Sequence, residues 1–392
     1  MAMDPAISKQ GGDKLWTTTF VALNLILLLN FCNMSIFFQF NSYLKSLGMD
    51  QSHIGLVIGL FSLAALLVRP FISPFLQPAN AKRWIFWGAV CTVACLLAYN
   101  LAHDLASLVI LRLAHGSFYV LMATATMAAL TGCIPQAKSG QAFGVVGIVA
   151  LLPFALVPPI LPVLERLFGD YLAVLTVTAL PVGCIVFMLP LIKTGQTKGG
   201  RAYAFNRKDL AGNLRQPAIL LLLGISLLMY SAFSSLFYYV QGFAKELSIA
   251  LPGLFFTLAT VAEIAIRLGT GPVLDKLSKK KAITISLGFL AAAYLALPLG
   301  SAAWMFLGLA VVFGMAWGIA VPAVSALIFD VSEPRFRAVN TNLGFEAMQG
   351  GYFIGPLLGG MVLDAWGYGA LFIACAGACL LSMGLAALGR ER

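Results

Sequence analysis

Polar breaks cut this sequence into about twelve apolar runs, each near the length of a bilayer crossing: 16–43, 53–76, 84–102, 105–132, 141–165, 171–192, 217–244, 249–274, 282–299, 302–329, 338–364 and 368–389. A span needs about 20 mostly apolar residues, and its backbone groups must bond within the segment because lipid offers no partner. Such runs are expected to be helices, since a membrane barrel would need short alternating segments. With 60% hydrophobic and 10% charged residues, the composition also lies far from soluble domains, where about a quarter of residues are charged.

The runs divide six and six about the hydrophilic stretch Lys193–Arg215. The expected fold is therefore an all-α polytopic membrane protein, with pseudo-symmetric six-helix halves at 1–192 and 217–392 and a linker at 193–216. Across this divide the sequence echoes itself. RPFISPFLQPANAKR (Arg69–Arg83) returns about half a chain later as RLGTGPVLDKLSKKK (Arg267–Lys281), matching the arginine, a proline (Pro74 for Pro272), a leucine (Leu76 for Leu274) and the closing basic pair.

Placing the N-terminus in the cytoplasm puts nineteen Lys and Arg in cytoplasmic segments and leaves Lys45, Arg166 and Lys245 on the other side. The positive-inside rule then places both termini and the linker in the cytoplasm, with a bacterial inner membrane the expected location. Topology accounts for the net charge of +10, and no solvated basic domain suggests nucleic acid. Met1–Pro5 reads as a cloning remnant, so targeting is expected to reside in the first span.

Seven cysteines lie in or beside apolar runs without His or acidic company, which fits packing better than disulfides or a metal centre. H-E-x-x-H, G-x-S-x-G and G-x-x-x-x-G-K-[ST] do not occur, and three dispersed His suit no metal site. Neither an enzyme, a cofactor nor ATP-driven pumping is expected.

Three motifs remain. Gly271-Pro-Val-Leu-Asp275 precedes Lys276 and Lys279–Lys281, while the first-half copy has Ser73 and Gln77 for the glycine and aspartate. Arg112-Leu-Ala-His115-Gly116 stands in the fourth run. Gly351-x-x-x-Gly355-Pro356-x-x-Gly359-Gly360 stands in the eleventh, where the fifth run has Pro153, Pro158 and Pro159. Over essentially the whole chain these residues resemble the major facilitator superfamily of secondary transporters. The first motif is similar to its loop signature between helices 2–3 and 8–9. The second and third are similar to motifs of its drug:proton antiporters, whose glycine–proline pattern belongs to helix 5.

The resemblance implies that helices 1, 4, 7 and 10 line a central cavity. Candidate lining residues are Asn30, Asn33 and Phe37 on helix 1, and Arg112 and His115 on helix 4. Tyr230, Ser234, Tyr238 and Gln241 on helix 7 and Trp317 on helix 10 complete the set. Asn33 and Asn41 share a face with Phe37 between them, and the helix 7 residues recur at spacings of four, four and three. Polar stripes in a membrane must meet each other, water or a ligand; interhelical bonding and cavity lining both satisfy this.

Charges within spans are costly, about 2.5–3.5 kcal/mol for a central Arg or Asp on insertion scales. Arg112 is suited to an anionic substrate or to a nearby carboxylate, and His115 is its helical neighbour. Glu263 and Arg267 are four apart, the spacing of an intrahelical ion pair. Arg69, Arg267, Gly271 and Asp275 read as gate or loop anchors. Glu346 lies deep in its helix with no cation three or four positions away, which makes it a candidate proton carrier beside Glu263.

The expected function is secondary transport by alternating access, with proton-coupled efflux of drug-like or amphipathic molecules as the first reading. Proton-coupled uptake of a small organic anion is the alternative, and a non-transporting receptor or scaffold the remote one. Protons are the expected coupling ion, sodium the alternative, and a monomer in the lipid bilayer the expected unit.

Overall fold

The computed structural model describes residues 14–135, 138–193, 207–274, 278–300 and 302–388. Among these, the first bundle comprises α1 (Thr18–Ser46), α2 (Gln51–Phe75), α3 (Ala81–Leu101), α4 (Leu105–Cys133), α5 (Ser139–Phe168) and α6 (Tyr171–Leu191). The second comprises α7 (Pro217–Glu246), α8 (Leu254–Leu274), α9 (Lys279–Leu299), α10 (Ala303–Val331) and the run Arg337–Leu388. That run breaks at Gly367, φ 77°, into α11 (337–366) and α12 (368–388). A left-handed backbone favours glycine, so the break falls there.

Helix starts are fixed by short polar side chains. Asp50, Asp104 and Asp170 accept hydrogen bonds from first-turn backbone N–H groups of α2, α4 and α6. α1 narrows to a 3-10 turn at Ile36–Gln39. The linker, expected as hydrophilic chain, contains a short helix, Arg207–Leu214. Its Asn213 and the α11 residue Asn340 exchange amide hydrogen bonds of 2.6 and 3.1 Å, and Asn340 also donates to Ser332 at 2.8 Å. These bonds tie the described part of the linker to the second bundle.

The sequence echo recurs as packing. A Cβ on Gly116 of α4 would stand 2.2 Å from the Phe61 carbonyl oxygen of α2; at the same chain offset that separates Arg69 from Arg267, a Cβ on Gly314 of α10 would stand 2.0 Å from the Ala259 carbonyl oxygen of α8. Backbones this close tolerate only glycine, and small-residue contacts are how helices associate where lipid removes the hydrophobic drive.

The same offset relates the two seams between bundles. Gly55 of α2 lies against Pro356 of α11, where a Cβ would be 2.2 Å from the carbonyl oxygen. Its mate Gly253, just before α8, lies against Pro158 of α5, where a Cβ would be 2.4 Å from the carbonyl carbon. Gly59 approaches the Phe353 carbonyl, and its mate Thr257 donates from Oγ1 to the Ala155 carbonyl at 2.7 Å. Pro159 has no N–H to offer that carbonyl, so the other bundle supplies the donor.

These contacts gather at the end away from the linker. There, 33–41 of α1 and 232–241 of α7 are buried on every side. Phe38 meets Phe237 and Phe256 at centroid distances of 5.4 and 5.8 Å, and Phe154 meets Phe237 at 5.3 Å. Asn41 donates to the Tyr238 carbonyl at 3.2 Å, Ser42 to Gln241 at 3.1 Å and Ser52 to Asp364 at 3.0 Å. The bundles are thus sealed at this end; towards the linker their pairing across the seam is Arg69 with Glu346.

Candidate functional site

The first bundle holds a buried polar cluster just inside the seal. Arg112, fully buried, donates from Nε to the Val57 carbonyl (3.3 Å), from Nη2 to the Ile58 carbonyl (3.2 Å) and from Nη1 to the Tyr99 hydroxyl (3.4 Å). The rings of Phe37, Phe61 and Phe40 lie 4.5, 4.7 and 5.0 Å from its guanidinium carbon. Among the described residues no carboxylate lies within ion-pair distance of it. Carbonyl dipoles and aromatic faces hold the charge instead, each cation–π contact contributing about 0.5–2 kcal/mol. His115 meets Asn33 at 3.0 Å and Tyr99 at 3.4 Å, and Tyr238 of the second bundle approaches Arg112.

Asn33 therefore turns to α4 and Asn41 to α7, with the 3-10 turn between them. Asn30 donates to the Tyr119 carbonyl of α4 at 3.5 Å. The amide oxygens of Asn30, Asn33 and Asn41 have no hydrogen-bond donor. Three unmet acceptors along one helix form an array that a rearranged state or a donor-bearing solute can satisfy.

The second bundle supplies an aromatic wall. Trp317 packs edge-on to Tyr230 at 5.1 Å and stacks on Phe233 at 4.6 Å, while Tyr352 lies 5.7 Å from Tyr230. Beside it, Glu263 and Arg267 form the expected ion pair at 2.5 Å. Gly318 lets α10 approach the backbone of Glu263, where a Cβ would stand 3.1 Å from its Cα.

Glu346 finds its cation in the other bundle: Arg69 Nε lies 3.9 Å from Glu346 Oε1, too long for a hydrogen bond, and Arg69 Nε and Glu346 Oε2 lack hydrogen-bond partners. Both side chains are partly exposed. The pair is the charged contact between α2 and α11 on the linker side of the glycine crossing.

On α7, Ser234 donates to the Gly351 carbonyl at 3.1 Å and Ser235 to the Gly355 carbonyl at 2.9 Å. Tyr239 donates to the Pro356 carbonyl at 2.6 Å. In this conformation Ser234, Tyr238 and Gln241 belong to the sealed segment, and of the four predicted α7 residues Tyr230 alone reaches the aromatic wall, next to Phe233. Gly271 lies in the last turn of α8, and Asp275 lies outside the described residues. Among the described residues no group of three His, Cys, Asp or Glu is placed to hold a metal ion.

Sequence reasoning did not single out Tyr99, Tyr119, Tyr352 or the Gly55 and Gly253 pair. The glycines carried a readable signal, the shared offset of Gly55–Gly253 and Pro158–Pro356; the tyrosines carried none beyond their place in apolar runs.

A family model described as Major Facilitator Superfamily matches residues 23–345 and 243–392. The uncharacterized MFS-type transporter YuxJ of Bacillus subtilis (strain 168) is 23% identical over 352 residues, covering 85% of this chain and 88% of its own. Among solved structures, the nucleoside transporter NupG superposes with a TM-score of 0.75 at 13% identity, covering 95% of this chain and 100% of that one. A bacterial homolog of the human lysosomal transporter Spinster, inward-facing and unoccupied, gives 0.73 at 15% identity, covering 96% and 95%. The human organic anion transporter MFSD10 gives 0.61 at 17% identity, covering 94% and 99%. At these identities the structural likeness establishes a common fold.

Proposed function

Because this chain belongs to the Major Facilitator Superfamily, and so is a secondary transporter of a small molecule across the membrane, we propose that it takes up a small organic anion together with protons. The observation that carries this reading is Arg69 facing Glu346 across the bundles. While Glu346 is ionised it competes for Arg69. Once protonated, it leaves the guanidinium free to hold a substrate carboxylate or phosphate. Proton and anion then load together, which is symport, and an inward proton gradient drives uptake. The aromatic wall of Tyr230, Trp317 and Tyr352 offers faces for a planar or apolar body. Proteins that share the fold include a nucleoside transporter and an organic anion transporter, which supports a polar organic solute.

With the basic loops in the cytoplasm, the sealed end is the outer one and the conformation is inward-facing. Alternating access then breaks the Gly55–Pro356 and Gly253–Pro158 seams and closes the linker side. A second reading, efflux of amphipathic molecules, draws on the same aromatic wall, which suits promiscuous apolar contact. A competition assay in proteoliposomes separates them. Under an inward proton gradient, uptake of a labelled aromatic carboxylate, inhibited by carboxylates and indifferent to hydrophobic cations, supports the anion reading; the opposite pattern supports efflux.

A further inference from the structure

The linker is held by side chains at both ends. Where it leaves α6, Thr19 Oγ1 of α1 donates to the Leu191 carbonyl at 3.3 Å and accepts from the Lys193 N–H at 2.9 Å. Where it enters α7, Asn213 is bonded to Asn340 near the start of α11, and Asn340 to Ser332 just past the end of α10. These three residues are 2%, 0% and 4% exposed, and every polar atom of their side chains has a partner. The first anchor belongs to one bundle and the second to the other, so rocking of the bundles is felt at this triad.

The internal repeat shows what these positions carry elsewhere. At the offset that relates Arg69 to Arg267, Asn213, Asn340 and Ser332 correspond to Leu15, Ala142 and Ile134. Leu15 and Ala142 are 2% and 0% exposed, and Ile134 packs against the core. Positions that are apolar in the first half thus form a hydrogen-bonded triad in the second. The two kinds of contact differ in how they part. Parting apolar groups exposes their buried area to water, whereas parted amides exchange their bonds for bonds to water at a small net cost. Nor do the helix ends depend on the triad. Ser332 Oγ also donates to the Ile328 carbonyl at 2.6 Å, and the first turn of α7 closes through the Leu220 N–H and the Gln216 carbonyl at 3.1 Å.

We propose that Asn213, Asn340 and Ser332 form a releasable clasp, made in this inward-facing state and parted when the linker side closes. Its bonds exist in one state only, so they weight the equilibrium towards that state by their own strength. The proposal does not depend on what the central cavity carries.

The test is the distance between nitroxide labels at His103 and Ala250, exposed on the two bundles at the sealed face, in the full-length protein in nanodiscs. The native cysteines are replaced, and Gly55→Ala with Gly253→Ala is included to raise the share of molecules in which that face is apart. Asn340→Ala, which removes all three bonds of the clasp, should raise the ratio of separated to sealed molecules by about tenfold. The triple variant Asn213→Leu, Asn340→Ala, Ser332→Ile installs the side chains of the first half and should lower the ratio below that of the unsubstituted clasp. Thermal unfolding checks that each variant is folded. Should the triple variant fail that check, Asn213→Ala decides: it removes two of the three bonds and should move the ratio in the direction of Asn340→Ala, by less. A ratio unaltered by Asn340→Ala, a shift in the same direction in Asn340→Ala and the folded triple variant, or no shift in Asn213→Ala would overturn the proposal.

Discussion

Arg69 on α2 and Glu346 on α11 face each other across the two bundles with 3.9 Å between Nε and Oε1, on the linker side of the point where the Gly55 backbone touches Pro356. A charge pair placed beside a closed crossing changes its surroundings whenever that crossing opens. If Arg69 receives the substrate anion, Arg69→Ala should raise KM for a carboxylate substrate by about tenfold or more, the scale of one charge-assisted contact. Arg69→Lys, which keeps charge but loses the planar fork, should recover part of that loss. Initial-rate uptake across substrate concentrations measures both.

The twofold seams predict paired effects. A Cβ at Gly55 or Gly253 would stand within 2.4 Å of backbone in the opposite bundle, and overpacking of this kind costs about 1–3 kcal/mol. Gly55→Ala and Gly253→Ala should each shift the population away from the sealed state. The check is disulfide formation between cysteines at Ser52 and Asp364, hydrogen-bonded across the seam, in a background without the native cysteines. Cross-linking should slow in both variants; unchanged rates would show that these crossings do not limit closure.

Arg112 is held by two carbonyls of α2, a tyrosine hydroxyl and three aromatic rings of the first bundle, with Tyr238 of the second bundle beside it. Lysine keeps the charge but cannot reach both carbonyls while lying flat against rings. Arg112→Lys should lower stability by on the order of 2 kcal/mol, read as a fall in Tm of the purified protein. A variant with unchanged Tm and abolished transport would instead make Arg112 a substrate contact.

The twelve spans were legible because apolar length is local information, and even the break at Gly367 falls in the expected gap between runs. The partners were not. Glu346 shows no cation among its own helical neighbours because Arg69 comes from the other bundle, and Asn33 and His115 meet only once α1 packs on α4. The glycine–proline motif of α11 was legible as a motif, yet its work is distributed over two neighbours: Gly351 and Gly355 admit α7, while Pro356 and Gly360 receive α2. The linker helix was missed because its eight residues, half of them polar, are too short a run to read as a span, and its Asn213 meets Asn340 only in the folded chain.

The capping acids give a control on pH dependence. Hydrogen bonds from the backbone and side chain of His53 hold Asp50 below the usual carboxylate range, and those from Ser107 do the same for Asp104. Depressed folded-state values mean that their stabilisation is complete above the unfolded pKa, about 3.9, and is lost as pH falls through the folded values. Neither cap titrates between about pH 5 and 8. Asp50→Asn with Asp104→Asn should therefore leave the transport profile over that range unchanged; a displaced profile would assign the dependence to the caps.

The coupling role of Glu346 is decided by Glu346→Gln in proteoliposomes with an imposed proton gradient, measuring both net accumulation and substrate exchange at equal pH. Glutamine cannot release a proton, but it leaves Arg69 as free as the protonated acid does. The variant should lose gradient-driven accumulation, retain exchange and show flattened pH dependence of binding. Accumulation against a gradient with unaltered pH dependence would contradict the account.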